Sequence, residues 1–253
     1  MALAGVGGRV MILAPITVQN LLMTYPVEAQ VAAQFPLLAP TQAGDQIQLT
    51  LGGVDFVSQH LSGYAIDADG LHDDALFTIT MVTGCLLSGR GGPGGRGGDG
   101  DEFGGTVGQN GFLGGTALRM GCKTHIAGTG DVSLGYGGGG GGGGSYNPGP
   151  QIGTGGSGGG GGVPLGDAGS FGIGSDANGN VGTAATISAK GVGGAAVIFG
   201  AAGGDGGELG TAPTNGEVGD TGGGVAGGAG DAIDTQGFTL TSAAGITITG
   251  DVI

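Results

Sequence analysis

Few side chains in this sequence could do chemistry, and their spacing argues against most of it. His60, His72 and His125 are scattered, and Cys85 and Cys122 stand far apart. Structural zinc needs Cys or His in close pairs, and a metalloprotease helix needs HExxH; neither spacing occurs. Two distant cysteines make no disulfide framework. Both are expected as small buried or free thiols, with a single bond between them left open. Asp67, Asp69, Asp73 and Asp74 crowd the segment DADGLHDD. Oxygen-rich loops can hold calcium, but this one lacks the further ligands and closing glutamate of an EF-hand, so a solvated turn is expected. Asp99, Asp101 and Glu102 are discounted likewise. The glycine runs suggest a phosphate cradle, yet no GxxxxGK[ST] is present. Matches to GxGxxG arise by chance when 70 of 253 residues are glycine. No nucleophile–base arrangement stands out. The sequence predicts no catalytic residue, no metal site and no cofactor.

Charge excludes further classes. Six Lys and Arg face 20 Asp and Glu, for a net charge of −14. Without a basic cluster, neither a nucleic-acid backbone nor an anionic membrane surface is an expected partner. No stretch of about 20 apolar residues occurs, so membrane insertion is not expected. The first residues include an apolar run, but it lacks a preceding basic region and is broken by Arg9 and Pro15, so a cleaved signal peptide is not expected. An extracellular protein without an export signal fits release by lysis, as for a virion component.

Glycine at this level ordinarily signals disorder. Here the hydrophobic fraction is 38% and the charged fraction only 10%, which argues for a packed chain. Composition changes at Ser88–Gly89, with nine glycines before it and the rest after. That places a boundary between a β-rich domain, 1–88, and a glycine-rich domain, 89–253. In the first, DQIQLTL (45–51) alternates like a half-buried strand, and ALFTITMVTGCLL (75–87) is rich in β-branched and aromatic residues. EAQVAAQF holds two helical turns after Pro26.

The second domain reads differently. It opens GGPGGRGGDGDE: two glycines, then one variable residue. A left-handed extended helix with three residues per turn puts all such variable residues on one face and bare backbone on the others. Helices of this type can approach one another closely, as only glycine permits. The same spacing recurs in the octaglycine 137–144, in 155–162, 203–210 and 222–230. The expected fold is therefore a mainly β N-terminal domain followed by a bundle of polyglycine-II helices. Surface loops join them, short stretches such as THI, ATIS and FTLTSAAGITITGDVI read as β segments, and α-helix is scarce.

The order of elements in 89–253 resembles a known family. A GGxGGxGG opening (Gly91 to Gly100) precedes a GGTAL strand (Gly114 to Leu118). An Ile126 to Gly135 segment follows, then a long glycine run (Gly137 to Gly144). This is similar to the glycine-rich C-terminal domain of tailed-bacteriophage receptor-binding proteins: tail-fibre adhesins and lambda-like host-specificity proteins. The resemblance implies a virion tail-fibre protein exposed to the medium. It would bind a host outer-membrane protein or surface glycan through loops between the polyglycine helices. It would meet other tail proteins through the N-terminal domain, as a homotrimer. A structural tail protein without receptor contact is the alternative.

Receptor contact favours aromatic residues on loops held by a rigid scaffold. Tyr136 abuts the octaglycine, Tyr146 and Asn147 follow it at the turn signal Asn147-Pro148-Gly149-Pro150, and Phe171 lies in the longest linker. These four are the expected receptor contacts.

Overall fold

The computed structural model describes residues 8–17, 20–21, 24–58, 63–147 and 152–253. Contacts divide the chain into two compact units: Met1–Ser88 with Thr116–Ser133 and Asp231–Ile253, and Gly89–Gly115 with Leu134–Gly230.

In the first unit the chain winds through stacked rungs. The first holds β1 (Val10–Ile12), β2 (Asn20–Leu21) and β3 (Tyr25–Pro26), and leads into helix α1 (Val27–Gln34). The second holds β4 (Gln46–Leu51), β5 (Asp55–Val57) and β6 (Tyr64–Asp67). The third begins with β7 (Leu76–Ser88), leaves for the other unit, where β8 (Gly100–Asp101) and β9 (Gly104–Gly105) form a hairpin, and returns as β10 (Thr116–Arg119). The fourth begins with β11 (Lys123–Ser133), leaves again past the hairpin β12 (Ser145–Asn147) and β13 (Ile152–Thr154), and returns as β14 (Ile233–Asp234). The last holds β15 (Leu240–Ser242) and β16 (Gly245–Thr249).

Pairing between these rungs is parallel. One face runs β1-β4-β7-β11-β15 and another β14-β10-β6-β3. β2, β5 and β16 add a third face, pairing β5 with Asp55↔Leu86 on β7 and β16 with Thr129↔Gly245 on β11. The long strands pass from the first face to the third where Gly84 and Gly128 take positive φ, 81° and 92°, and the register shifts between Gly128 and Gly130. Glycine adopts that backbone without the Cβ clash other residues meet.

Alternation along each strand sends one set of side chains inward. Met11, Ile47 and Phe77 stack in register, as do Phe56 and Leu87, and Ile66, Leu118 and Ile233; all are fully buried. Truncating a buried Phe such as Phe77 to Ala costs about 3–5 kcal/mol. Val27 and Val31 of α1 join the same core. Cys85 and Cys122 are buried in it and unbonded.

The division by contacts differs from the boundary drawn by composition at Ser88. Thr116–Ser133 and Asp231–Ile253 fall with 1–88 because their strands add rungs to one stack. The glycine-rich unit is thus two insertions, one between β7 and β10 and one between β11 and β14. The segment ATIS also differs from expectation: it carries no strand and turns back through Thr186 N–H to Ala189 carbonyl, 2.9 Å.

In the glycine-rich unit most of the backbone is neither helix nor strand, yet it is hydrogen bonded throughout. The bonds recur every third residue. Gly92, Gly95 and Gly98 donate to Tyr136, Gly139 and Gly142 at 2.8–2.9 Å. Gly138, Gly141 and Gly144 donate to Phe112, Gln109 and Thr106, while Gly139 and Gly142 donate to Gly160 and Ser157. Gly140 and Gly143 donate to Thr214 and Glu217. Successive glycines of 137–144 therefore bond in three different directions, and all eight are buried. Spacing is set by bare backbone: a Cβ on Gly141 would lie 2.0 Å from the Arg96 carbonyl oxygen. The orphan amides that a helix or sheet would satisfy internally are satisfied here by neighbours.

Candidate functional site

The ladders give the glycine-rich unit two ends. At one end the residues next to the four chain crossings bond together: Gly115 N–H to Arg90 carbonyl at 2.7 Å, Gly135 to Gly115 at 2.9 Å and Gly230 to Gly135 at 2.9 Å. At the opposite end lie the turns at 101–105, 174–177, 197–200 and 218–222. They are tied to the tract ends by Gly100 N–H to Ile173 carbonyl, Gly155 to Ala177, Ala201 to Gly143 and Asp220 to Gly144.

These turns hold their shape through short local bonds. The Asp101 carboxylate accepts the N–H of Phe103 at 2.8 Å and of Gly104 at 3.0 Å. That carboxylate-capped turn leaves Phe103 85% exposed. Gly153 N–H donates to the Asp176 carboxylate at 3.0 Å and to Ser175 Oγ at 3.1 Å. Asp99 accepts the Ile173 N–H at 2.6 Å and pairs with Arg96. Partial burial opposes the Asp99 charge, but the Arg96 and Ile173 hydrogen bonds outweigh it and hold its pKa below the ordinary carboxylate value. The turn 197–200 closes with Gly200 N–H to Val197 carbonyl at 2.5 Å. Within it Ile198 takes φ 25°, an unfavourable backbone for a β-branched residue, and is 76% exposed. Val218 is 77% exposed, and Ile173 and Phe199 are exposed as well. Exposed apolar side chains on turns held by a rigid frame are the candidate contact residues of this unit.

Of the residues picked from sequence, Tyr146 and Asn147 lie in β12 at this end, pairing with Gly153 and Ile152. Residues 148–150 of the expected turn lie outside the described residues, as does His60. Phe171 sits half-buried between Ser170 and Gly172 on the tract leading to the 174–177 turn. Tyr136 is apart from them, at the crossing end, where it lines a cleft with Glu208, Thr211 and Pro213. Phe103, Ile198 and Val218 escaped the sequence reading. Asp-x-Phe-Gly at 101–104 was the available signal for the first, since an Asp side chain caps such a turn.

Several of the other chemically suggestive side chains are occupied. Arg119 takes Asp67 through Nε at 2.9 Å and Nη2 at 3.0 Å, reaches Asp69 at 2.7 Å, and lies 4.9 Å over the Tyr64 ring. His125 Nδ1 bonds the Thr241 hydroxyl at 2.8 Å, and His72 accepts the Asp74 N–H. Among the described residues no group of three or more His, Cys, Asp or Glu is placed to hold a metal. Among the described residues no helix is long and apolar enough to cross a membrane.

A backbone lattice that holds exposed apolar side chains on rigid turns suits a surface-binding module. The sequence matches the family of the phage tail fibre adhesin Gp38 over residues 31–253. The chain belongs to that family and is a receptor-binding protein of the phage tail fibre, carried on the virion tail and exposed to the host. No curated protein and no solved structure matches it.

Proposed function

We propose that the turns opposite the chain crossings are the surface that meets the host receptor, an outer-membrane protein or surface glycan. The observation that carries this reading is the gathering of exposed Phe103, Ile173, Ile198, Phe199 and Val218 on turns pinned to one end of the glycine-rich unit. Tyr146, Asn147 and Phe171 belong to the same surface in this proposal, and Tyr136 does not. The glycine tracts act as polyglycine-II helices, the form that glycine-rich adhesin domains would share. Supporting this are the three-residue ladders, the three bonding directions of 137–144 and the room for nothing larger than hydrogen. Such a lattice fixes the turns before binding, so little ordering entropy is lost on contact. The parallel β stack attaches the chain to other tail proteins, and the assembly is a homotrimer, which sedimentation of the purified chain tests.

The reading is tested by competition. Purified full-length chain should block phage adsorption to host cells, and a Phe103→Ala/Ile198→Ser double variant of unchanged thermal stability should lose most of that block. Equal blocking by both proteins would refute the assignment of these turns. A protein that never binds cells, and is masked within the tail, would make it structural.

A further inference from the structure

Away from the turns, at the crossing end of the glycine-rich unit, a cleft of about 510 Å³ is lined by Tyr136, Glu208, Thr211, Ala212, Pro213 and Ala226. That is within the range of small-ligand sites, roughly 300–1,000 Å³. Its walls are fixed by backbone. Tyr136 N–H bonds Val163 carbonyl at 2.8 Å, and Gly227 bonds Gly138 at 2.8 Å. Glu208 and Thr211 bond each other through both N–H and carbonyl, 2.9 Å each way, in a turn where Gly210 takes φ 77°. Gly207 lets the wall close: a Cβ there would meet Pro213 Cδ at 2.9 Å and Tyr136 Cβ at 3.2 Å.

The polar side chains among the lining residues are not taken up by the protein. Among the described residues the Tyr136 hydroxyl, the Glu208 carboxylate and the Thr211 hydroxyl have no protein partner. Burial pushes the Tyr136 phenol up, so it remains a proton donor at neutral pH. The rest of the lining is apolar methyl, proline ring and glycine backbone. Arg96 and Lys190 are paired elsewhere, with Asp99 and Asp205, so the lining carries one negative charge and no positive one.

We propose that this cleft binds a neutral saccharide, separately from the receptor-contacting turns. The electron-rich face of the Tyr136 ring suits the C–H face of a pyranose. The Glu208 carboxylate accepts from paired sugar hydroxyls, and the Tyr136 and Thr211 hydroxyls complete the ring of contacts. A lone carboxylate disfavours phosphorylated or acidic sugars.

The test is a titration of the full chain with the methyl β-glycosides of glucose, galactose and N-acetylglucosamine, read by saturation-transfer NMR. Ligands of this size should bind with Kd of about 1 mM. Glu208→Gln should weaken binding about tenfold and Tyr136→Phe several-fold, while Phe103→Ala leaves it unchanged. Glu208 sits on a turn, so its variant keeps the test valid if Tyr136→Phe fails to fold. No saturable binding to any of the three, binding indifferent to both variants, or tighter binding of glucose 6-phosphate or choline would overturn the proposal. Phage-adsorption assays on Phe103→Ala report on the turns independently.

Discussion

Arg9 and Asp45 hold each other where the first two rungs of the β stack begin. The Asp45 carboxylate accepts the Arg9 backbone N–H and Nε, both at 3.0 Å, pairs with Nη2, and takes the Gln42 N–H at 2.8 Å. Its side chain is only 2% exposed. The Arg9 hydrogen bond is the main force holding the Asp45 pKa below the ordinary value, against the opposing pull of burial. A carboxylate stabilised in this way contributes fully above its unfolded pKa, near about 3.9, and loses that contribution as pH falls through the folded value. Thermal unfolding should therefore shift downward as the pH drops below about 4. Asp45→Asn should cost about 1–2 kcal/mol at pH 7 and flatten that acid dependence. An acid profile unchanged in the variant would place the titrating group elsewhere.

Glycine should be irreplaceable by position, not by count. Gly141→Ala puts a methyl 2.0 Å from the Arg96 carbonyl oxygen, and its nearest contacts are all backbone atoms of Arg96 and Gly97. Gly228→Ala meets only the movable Leu113 Cδ2, at 3.0 Å. The first variant should aggregate or melt many degrees lower, since a clash against rigid backbone has no rotamer to relieve it. The second should stay within about 1 kcal/mol of the parent. Calorimetry of both proteins decides the matter, and equal stability would mean the tracts are loosely packed.

Much of the β stack was legible because its strands alternate. DQIQLTL and ALFTITMVTGCLL mark β4 and β7, and EAQVAAQF marks most of α1. What no local pattern carries is which strands lie side by side. Leu118 pairs with Ile66 and Ile233 across insertions far longer than any pairing signal, so a cut at Ser88 looked natural. The glycine unit's period of three was visible, and it appears as hydrogen bonds every third residue. The exposed turns were harder. Exposure of Ile198 and Val218 follows from where neighbouring tracts end, a property of the assembled ladders. Aromatic type alone pointed to Tyr136, which lies at the other end.

The apolar turns should matter for adsorption and not for folding. Phe103 loses little burial on truncation because it is 85% exposed. Phe103→Ala should leave the melting temperature within about a degree while slowing adsorption at least tenfold, the scale of a single hot-spot residue. Leu37→Ala supplies the control: that residue is 94% exposed but lies in the β stack, and its loss should not alter adsorption. Comparable defects from both substitutions would show that exposed apolar area is sticky wherever it lies.

The two thiols give a probe of the β stack that is independent of adsorption. Cys85 and Cys122 are buried and unbonded. Desolvation raises both pKa values, Cys122 to about 11. The thiolate is the reactive form, so burial suppresses reaction twice, by blocking access and by keeping the proton on. Native protein at pH 8 should show essentially no reaction with a disulfide reagent over minutes, and denatured protein should release two equivalents. Because Cys85 lies on β7 and Cys122 adjoins β11, the strands whose connections run out through the glycine-rich insertions, the rate in dilute denaturant should follow opening of those middle rungs. Gly141→Ala, placed in the other unit, separates two cases. Unchanged thiol protection would mean that the β stack stands without an intact lattice, and rapid reaction would mean that the two units unfold together.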